Sequence, residues 1–211
     1  MDKKIVAYDV TLRDGTQGEG VSFSVEDKIR VAHKIDELGV GYIEGGWPGS
    51  NERDEAFFNQ IKNEKFENAI ISAFGSTRRF SSNCDNDNNI QALLKAETKA
   101  ITIVGKTWDF HVKTALKIEN NENLELISDS IKYLSERTDE VFFDAEHFFD
   151  GFKNNDQYAI ECLKAAVEAG SKGIILCDTN GGSTPQEINK IVKSVKNLSL
   201  IHISEPTRPT L

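Results

Sequence analysis

The sequence predicts an α/β protein built as an incomplete (β/α)8 TIM barrel, of about six βα units plus a candidate seventh strand. Three observations carry this prediction. Short, nearly continuous apolar runs alternate with amphipathic stretches of helical period, as expected of parallel strands covered on both faces. No GxGxxG or GxxxxGK[ST] motif opens the first helix, which weighs against a nucleotide-binding open sheet. Polar residues gather just after the strands, at Arg13, Asp14, Glu44, Lys106, Glu146, Asp178 and Thr179. Spreading reactive groups over many strand ends is the habit of the barrel.

In chain order, the expected strands are Ile5–Val10, Val40–Glu44, Ala69–Phe74, Ala100–Val104, Glu140–Phe143 and Gly173–Cys177, with Leu198–Ile203 as the candidate seventh. The first helix runs within Ser24–Leu38, because Val25, Ile29, Ala32, Ile35 and Leu38 recur at helical spacing. Ser24 suits its N-cap and Gly39 its C-terminal stop. The spacing places further helices over Asn51–Asn63, Asn88–Glu97, Asn123–Arg137, Asp156–Ala169 and Pro185–Val195. The last opens on Thr184-Pro185-Gln186-Glu187, a capping box with proline at the first helical position. Ser81–Asn89 reads as a polar, Asn/Asp-rich loop.

With 211 residues, the chain has enough for one sizeable core, and 38% hydrophobic and 28% charged residues are ordinary for a globular protein. A net charge of −9 without Lys/Arg clusters argues against a nucleic-acid partner. A small anionic substrate stays compatible, since one metal or buried Arg reverses the local field. No signal-peptide apolar region and no stretch near membrane-spanning length occurs, so no membrane partner is expected. Three cysteines, Cys84, Cys162 and Cys177, are odd in number and lack CxxC spacing. Inert reduced thiols and a cytoplasmic location fit this pattern.

The βα rhythm dissolves at Ser204-Glu205-Pro206-Thr207-Arg208-Pro209. The stretch from about Ser199 to Pro209 resembles a sequencing adapter read through into protein. The expected organisation is therefore a partial TIM-barrel catalytic domain over 1–198 and an artefactual tail over 199–211; a natural Pro-containing tail is the alternative. A complete barrel takes roughly 250 residues, so the seventh and eighth units are expected to be missing.

Chemistry concentrates at Tyr8-Asp9-Val10-Thr11-Leu12-Arg13-Asp14-Gly15-Thr16-Gln17. A strand ends in adjacent Arg and Asp, followed by a glycine that lets the chain turn. The carboxylate can bind a divalent metal, and the guanidinium can hold a carboxylate or a developing oxyanion. A surface ion pair is the plain alternative. So are a barrel-mouth salt bridge for Glu44, a cation partner such as His147 for Glu146, and a turn-satisfying hydroxyl for Thr179. His33 reads as a solvent-facing helix residue, His111 as a mouth or loop residue, and Trp47 and Trp108 as packing residues.

The run Asp9–Gln17 resembles the first-strand signature of the metal-dependent family that includes 2-isopropylmalate, homocitrate and citramalate synthases and 3-hydroxy-3-methylglutaryl-CoA lyase. The resemblance extends through Gly18–Gly20, Ser24–Lys28, Tyr42–Asn51, Gly105–His111, Asp144–Gly151 and Cys177–Gly182. The stretches Glu44–Asn51 and Asp144–Gly151 are most similar to the citramalate synthase branch. This resemblance implies an acyltransferase that condenses acetyl-CoA with pyruvate to (R)-citramalate and CoA, toward isoleucine, in a homo-oligomer. It implies metal binding at Asp14 (Mg, Mn or Zn) and catalytic roles for Arg13, Glu44 and Glu146. It also implies substrate contacts at Gln17 and Thr179. The family completes its metal site with His-x-His and an Asn on the seventh strand; here Leu200-Ile201-His202-Ile203-Ser204-Glu205 offers one histidine. One carboxylate and one imidazole make a poor metal site, so the 211-residue chain alone is expected to be inactive. A larger 2-oxo acid substrate, as in 2-isopropylmalate or homocitrate synthase, and a non-catalytic folded module are the alternatives.

Overall fold

The computed structural model describes residues 5–197 and 203–204. Strand and helix alternate along the chain. The strands are β1 (Tyr8–Asp9), β2 (Tyr42–Gly46), β3 (Ile70–Ser76), β4 (Ala100–Lys106), β5 (Glu140–Glu146), β6 (Gly173–Leu176) and β7 (Ile203–Ser204). The helices are α1 (Val25–Glu37), α2 (Glu52–Ile61), α3 (Asn88–Lys95), α4 (Asp109–His111), α5 (Asn120–Ser135), α6 (Phe148–Asn154), α7 (Asp156–Glu168) and α8 (Pro185–Asn197). The chain forms two compact units. One runs up to Gly75 and takes in Asp85–Thr102; the other joins Ser76–Cys84 to the chain from Ile103 onward.

In the first unit, β1 pairs in parallel with β2, and β2 with β3. β1 is only two residues long because the chain already turns at Val10, whose carbonyl accepts from Arg13 N at 3.2 Å and Gly15 N at 3.1 Å. Ile5 and Val6, expected inside the strand, are exposed. Helix α1 begins at the expected cap: Ser24 Oγ accepts from Asp27 N, and the Asp27 carboxylate accepts in turn from Ser24 N. Ala32 and Ile35 are buried, but the expected face member Leu38 is 80% exposed at the C-cap. The buried face holds Lys28 instead, whose ammonium meets Asp54 Oδ1 at 2.6 Å and lies over the Phe57 ring. Asp36, near the end of α1, accepts from three successive backbone N–H groups, of Glu67, Asn68 and Ala69, at 2.7–2.9 Å and so anchors the chain entering β3.

In the second unit, β5 pairs in parallel with β6 and β6 with β7. Of the expected seventh strand, Ile203 lies in β7 and 198–202 fall outside the described residues, as does the sequence after Ser204. Helix α5 starts three residues before its expected onset, where Glu119 N donates to Glu122 Oε2. Helix α8 opens on the predicted capping box, with Thr184 N and Oγ1 both donating to Glu187 Oε2. Two elements were not anticipated: α4 with the wide turn Val112–Leu116, and α6. Helix α6 has a glycine in its middle, which hides its helical signal. Gly151 is needed there, because a Cβ would lie 2.4 Å from the Thr107 carbonyl oxygen.

All three cysteines are free; Cys84 and Cys162 are buried, and burial pushes the Cys162 thiol up to about 12. Among the described residues, no helix is long and apolar enough to cross a membrane.

Candidate active site

In the first unit, the residues after β1 meet Glu44 within β2. Arg13 Nε donates to Glu44 Oε1 at 2.5 Å, Arg13 Nη1 donates to Asp14 Oδ1 at 3.3 Å, and the guanidinium carbon stands 3.9 Å from the Phe74 ring centroid. Glu44 is 1% exposed, whereas Asp14 is 38% exposed, so the arginine bridges an interior carboxylate and an open one. The second Glu44 oxygen accepts from the Tyr8 hydroxyl at 2.8 Å. Tyr8 is 2.6 Å from the Thr102 hydroxyl, which is 3.0 Å from that of Ser72. Burial pushes the Glu44 carboxyl up while Arg13 and Tyr8 pull it down, and the net shift is upward. Burial, then the Glu44 charge, raises the Tyr8 phenol well above its ordinary value, so it stays a donor.

Backbone geometry places these groups. The β2–β3 register shifts between Glu44 and Gly46, a bulge that re-aims the strand end. Gly46 has φ +146, and a Cβ there would stand 2.8 Å from the Asp54 carboxylate. Asp54 Oδ2 also accepts from Trp47 N at 3.0 Å, so the Lys28–Asp54 pair clamps the loop leaving β2. Burial lowers the Lys28 ammonium from its ordinary value, against the opposing pull of Asp54. Trp47 is a packing residue: Nε1 donates to Asn89 and the ring lies edge-on to Phe74. Gln17 is exposed on the short turn Gly15–Gln17.

In the second unit, the ends of β4, β5 and β6 are cross-tied. The Lys106 ammonium pairs with Glu146 Oε2. Thr107 N and Oγ1 both donate to the Glu146 carbonyl, and Asn123 Nδ2, from α5, donates to the Lys106 carbonyl. His147 adopts φ +55, a left-handed conformation uncommon outside glycine. Its backbone N donates to Thr179 Oγ1 at 2.9 Å, and its Nδ1 is 3.2 Å from Asp150 Oδ2. Asn180 Nδ2 donates to the same Asp150 oxygen at 3.0 Å. The His111 ring meets His147 edge-to-face at 4.4 Å and packs on Trp108. Burial, then the neighbouring His147 and Lys106, lowers the His111 imidazole below its ordinary value.

Arg13, Asp14 and Glu44 thus stand together in one unit, and Glu146 and Thr179 are linked through His147 in the other. The cation beside Glu146 is Lys106, not His147. Thr179 serves the neighbouring strand end instead of its own turn. His33, expected to face solvent, is partly exposed and pairs with Glu64. Sequence reasoning gave no role to Lys106, Asp150 or Asn180, although all three stood at or near strand ends. Among the described residues, no group of three or more His, Cys, Asp or Glu is arranged to hold a metal. Asp14 is one candidate ligand, Glu44 is committed to Arg13 and Tyr8, and His202 lies outside the described residues. The described residues do not by themselves fit a metal centre.

The family model described as HMGL-like matches residues 4–204. The chain is 58% identical over 199 residues to an (R)-citramalate synthase of Geobacter sulfurreducens, covering 94% of this chain and 37% of that protein. It is 53% identical to an (R)-citramalate synthase of Aquifex aeolicus, covering 93% of this chain and 37% of the relative. The chain therefore spans a little over a third of the length of these curated relatives. Among solved structures, hydroxymethylglutaryl-CoA lyase from Pseudomonas aeruginosa superposes with a TM-score of 0.75 at 18% identity, over 96% of this chain and 67% of that one. That likeness gives the fold as an incomplete (β/α)8 barrel.

Proposed function

We propose, from the premise that this chain belongs to the HMGL-like family, that the full-length protein condenses acetyl-CoA with pyruvate to give (R)-citramalate and free CoA. The likeness to two proteins named (R)-citramalate synthase, sustained over nearly the whole chain, carries this reading. The geometry supports it through the Arg13 fork. A guanidinium locked between a buried and an open carboxylate is preorganised to stabilise the enolate and alkoxide charge that the condensation develops.

Glu44 fixes the direction of Arg13 through its Nε bond. Thr179 already accepts from His147 N, so its own hydroxyl proton is left to donate to the keto-acid carboxylate. Glu146, ion-paired with Lys106, belongs to the acetyl-CoA half of the reaction. Gln17, exposed on its turn, contacts substrate. Asp14, the open carboxylate of the Arg13 fork, would give a divalent metal (Mg, Mn or Zn) one oxygen ligand, the others coming from outside the described residues. The protein works in the cytoplasm as a homo-oligomer.

The test is CoA release by the full-length protein supplied with acetyl-CoA and, in turn, pyruvate, 2-oxoisovalerate and 2-oxoglutarate. Pyruvate is expected to give the highest kcat/KM. Preference for either larger acid would replace the substrate with that of an isopropylmalate or homocitrate synthase. No release with any of them would leave a non-catalytic module. One methylene changes binding by only about 1–3 kcal/mol, so the ranking must be measured as kcat/KM ratios.

A further inference from the structure

We infer that Tyr8, braced by Thr102, is a positioning residue of this reaction: its hydroxyl holds the Glu44 carboxylate in the orientation that aims the Arg13 guanidinium. The inference rests on the condensation proposed above and adds a residue to it.

A guanidinium is a flat plate on a flexible stem, so its direction is fixed only when both its plane and its rotation within that plane are restrained. In the first unit the Phe74 ring supplies the plane, with its centroid 3.9 Å from the guanidinium carbon. Rotation within the plane is set by the bond from Nε to Glu44 Oε1 at 2.5 Å. Asp14 is the weaker guide, because its carboxylate is open to solvent and its contact with Nη1 is long, at 3.3 Å. Arg13 therefore points where Glu44 lets it point.

Glu44 in turn needs a hold on each oxygen. The last torsion of a glutamate side chain is broad, so a bond to Oε1 alone leaves the carboxylate plane able to swing. The residue is buried, and bulk water does not reach it to steady the other oxygen. The Tyr8 hydroxyl does so, donating to Oε2 at 2.8 Å. A hydrogen bond to an ionised acceptor is of the stronger kind. Burial, then the Glu44 charge, keeps the phenol protonated, so the donor is always present.

Tyr8 is itself held still. Its backbone is in register with Tyr42 on β2, and the two rings stack with centroids 5.7 Å apart and planes 24° from parallel. Its oxygen lies 2.6 Å from Oγ1 of Thr102, a fully buried residue of β4. A phenylalanine would stack on Tyr42 equally well, so the ring does not account for the tyrosine. The oxygen does, because it ties the carboxylate that directs Arg13 to a fixed point in the interior.

A double-mutant cycle in the full-length protein tests this, with kcat for CoA release from acetyl-CoA and pyruvate as the readout. Wild type is measured first. If it releases no CoA with pyruvate or with either larger 2-oxo acid, the functional reading falls and this inference with it. If a larger acid is preferred, the cycle is run on that acid. Tyr8→Phe keeps the ring and removes the hydroxyl. Its kcat is expected to be about 10–100-fold lower than wild type, the scale of a misdirected catalytic group. In an Arg13→Lys background, where the fork is already gone, the same change is expected to cost less than about threefold. A purely structural loss lowers the active fraction by the same factor in both backgrounds and cancels from the ratio. A ratio of the two losses of about fivefold or more supports the inference, and a smaller ratio overturns it. If Tyr8→Phe does not fold, Thr102→Val, which removes the brace from the far side of the phenol, takes its place in the cycle and is judged by the same ratio.

Discussion

Replacing Asp36 by alanine should cost about 3–4 kcal/mol of folding stability. The carboxylate is 6% exposed and accepts from Glu67 N at 2.9 Å, Asn68 N at 2.8 Å and Ala69 N at 2.7 Å. Hydrogen bonds to a charged group contribute roughly 1.5–3 kcal/mol each, and a buried donor left unmet costs about 1–3 kcal/mol. Only the Ala69 bond is fully buried; the other two donors can turn to water, so their loss is partial. For a chain of this size, about 2–4 °C of melting temperature follows each kcal/mol, giving a fall of roughly 6–16 °C. Burial pushes the Asp36 carboxyl up, but the three backbone N–H groups outweigh it and hold the folded-state value below the ordinary one. The contribution is therefore complete above the unfolded aspartate value of about 3.9 and is lost as pH falls through the lower folded value. Urea unfolding of wild type and Asp36→Ala at neutral pH and near pH 3 measures both effects. A neutral-pH difference below 1 kcal/mol, or one that grows on acidification, refutes the account. Asp36→Asn keeps one accepting oxygen and should lose about half as much.

Other outcomes follow from the strand ends of the first unit. Arg13→Lys replaces a fork that reaches Glu44 and Asp14 at once, and should lower kcat/KM for CoA release by about 10²–10³-fold; a loss under tenfold counts against the fork. Gly46→Ala forces a Cβ to within 2.8 Å of Asp54 and 2.9 Å of Lys28 Nζ at a φ of +146, and should lower the urea-unfolding free energy by roughly 2–4 kcal/mol.

The strand–helix alternation was legible because each unit carries its own signals, such as the Ser24 cap and the Thr184 box, and these need no distant partner. What escaped was set by tertiary contact. Lys28 looks like a surface residue in a helical wheel, yet Asp54, from another helix, draws it inside. Helix α6 escaped because Gly151, chosen to fit against Thr107, breaks the local helical signal. At the candidate site, Arg13, Asp14 and Glu44 were readable as strand-end charges. Lys106 and Asp150 gain meaning only when Glu146 and His147 are found beside them.

The row of side chains from Ser72 to Glu44 has a built-in polarity. A hydroxyl owns a single proton. Tyr8 gives its proton to Glu44 and so must receive one from Thr102, which in turn must receive one from Ser72. Three dipoles are thereby lined up nose to tail toward one carboxylate, and each reinforces the next. A silent-looking exchange such as Ser72→Ala, deep in the interior and remote in sequence from Arg13, would remove the far end of that queue. Its effect would surface as a loosened grip on the guanidinium.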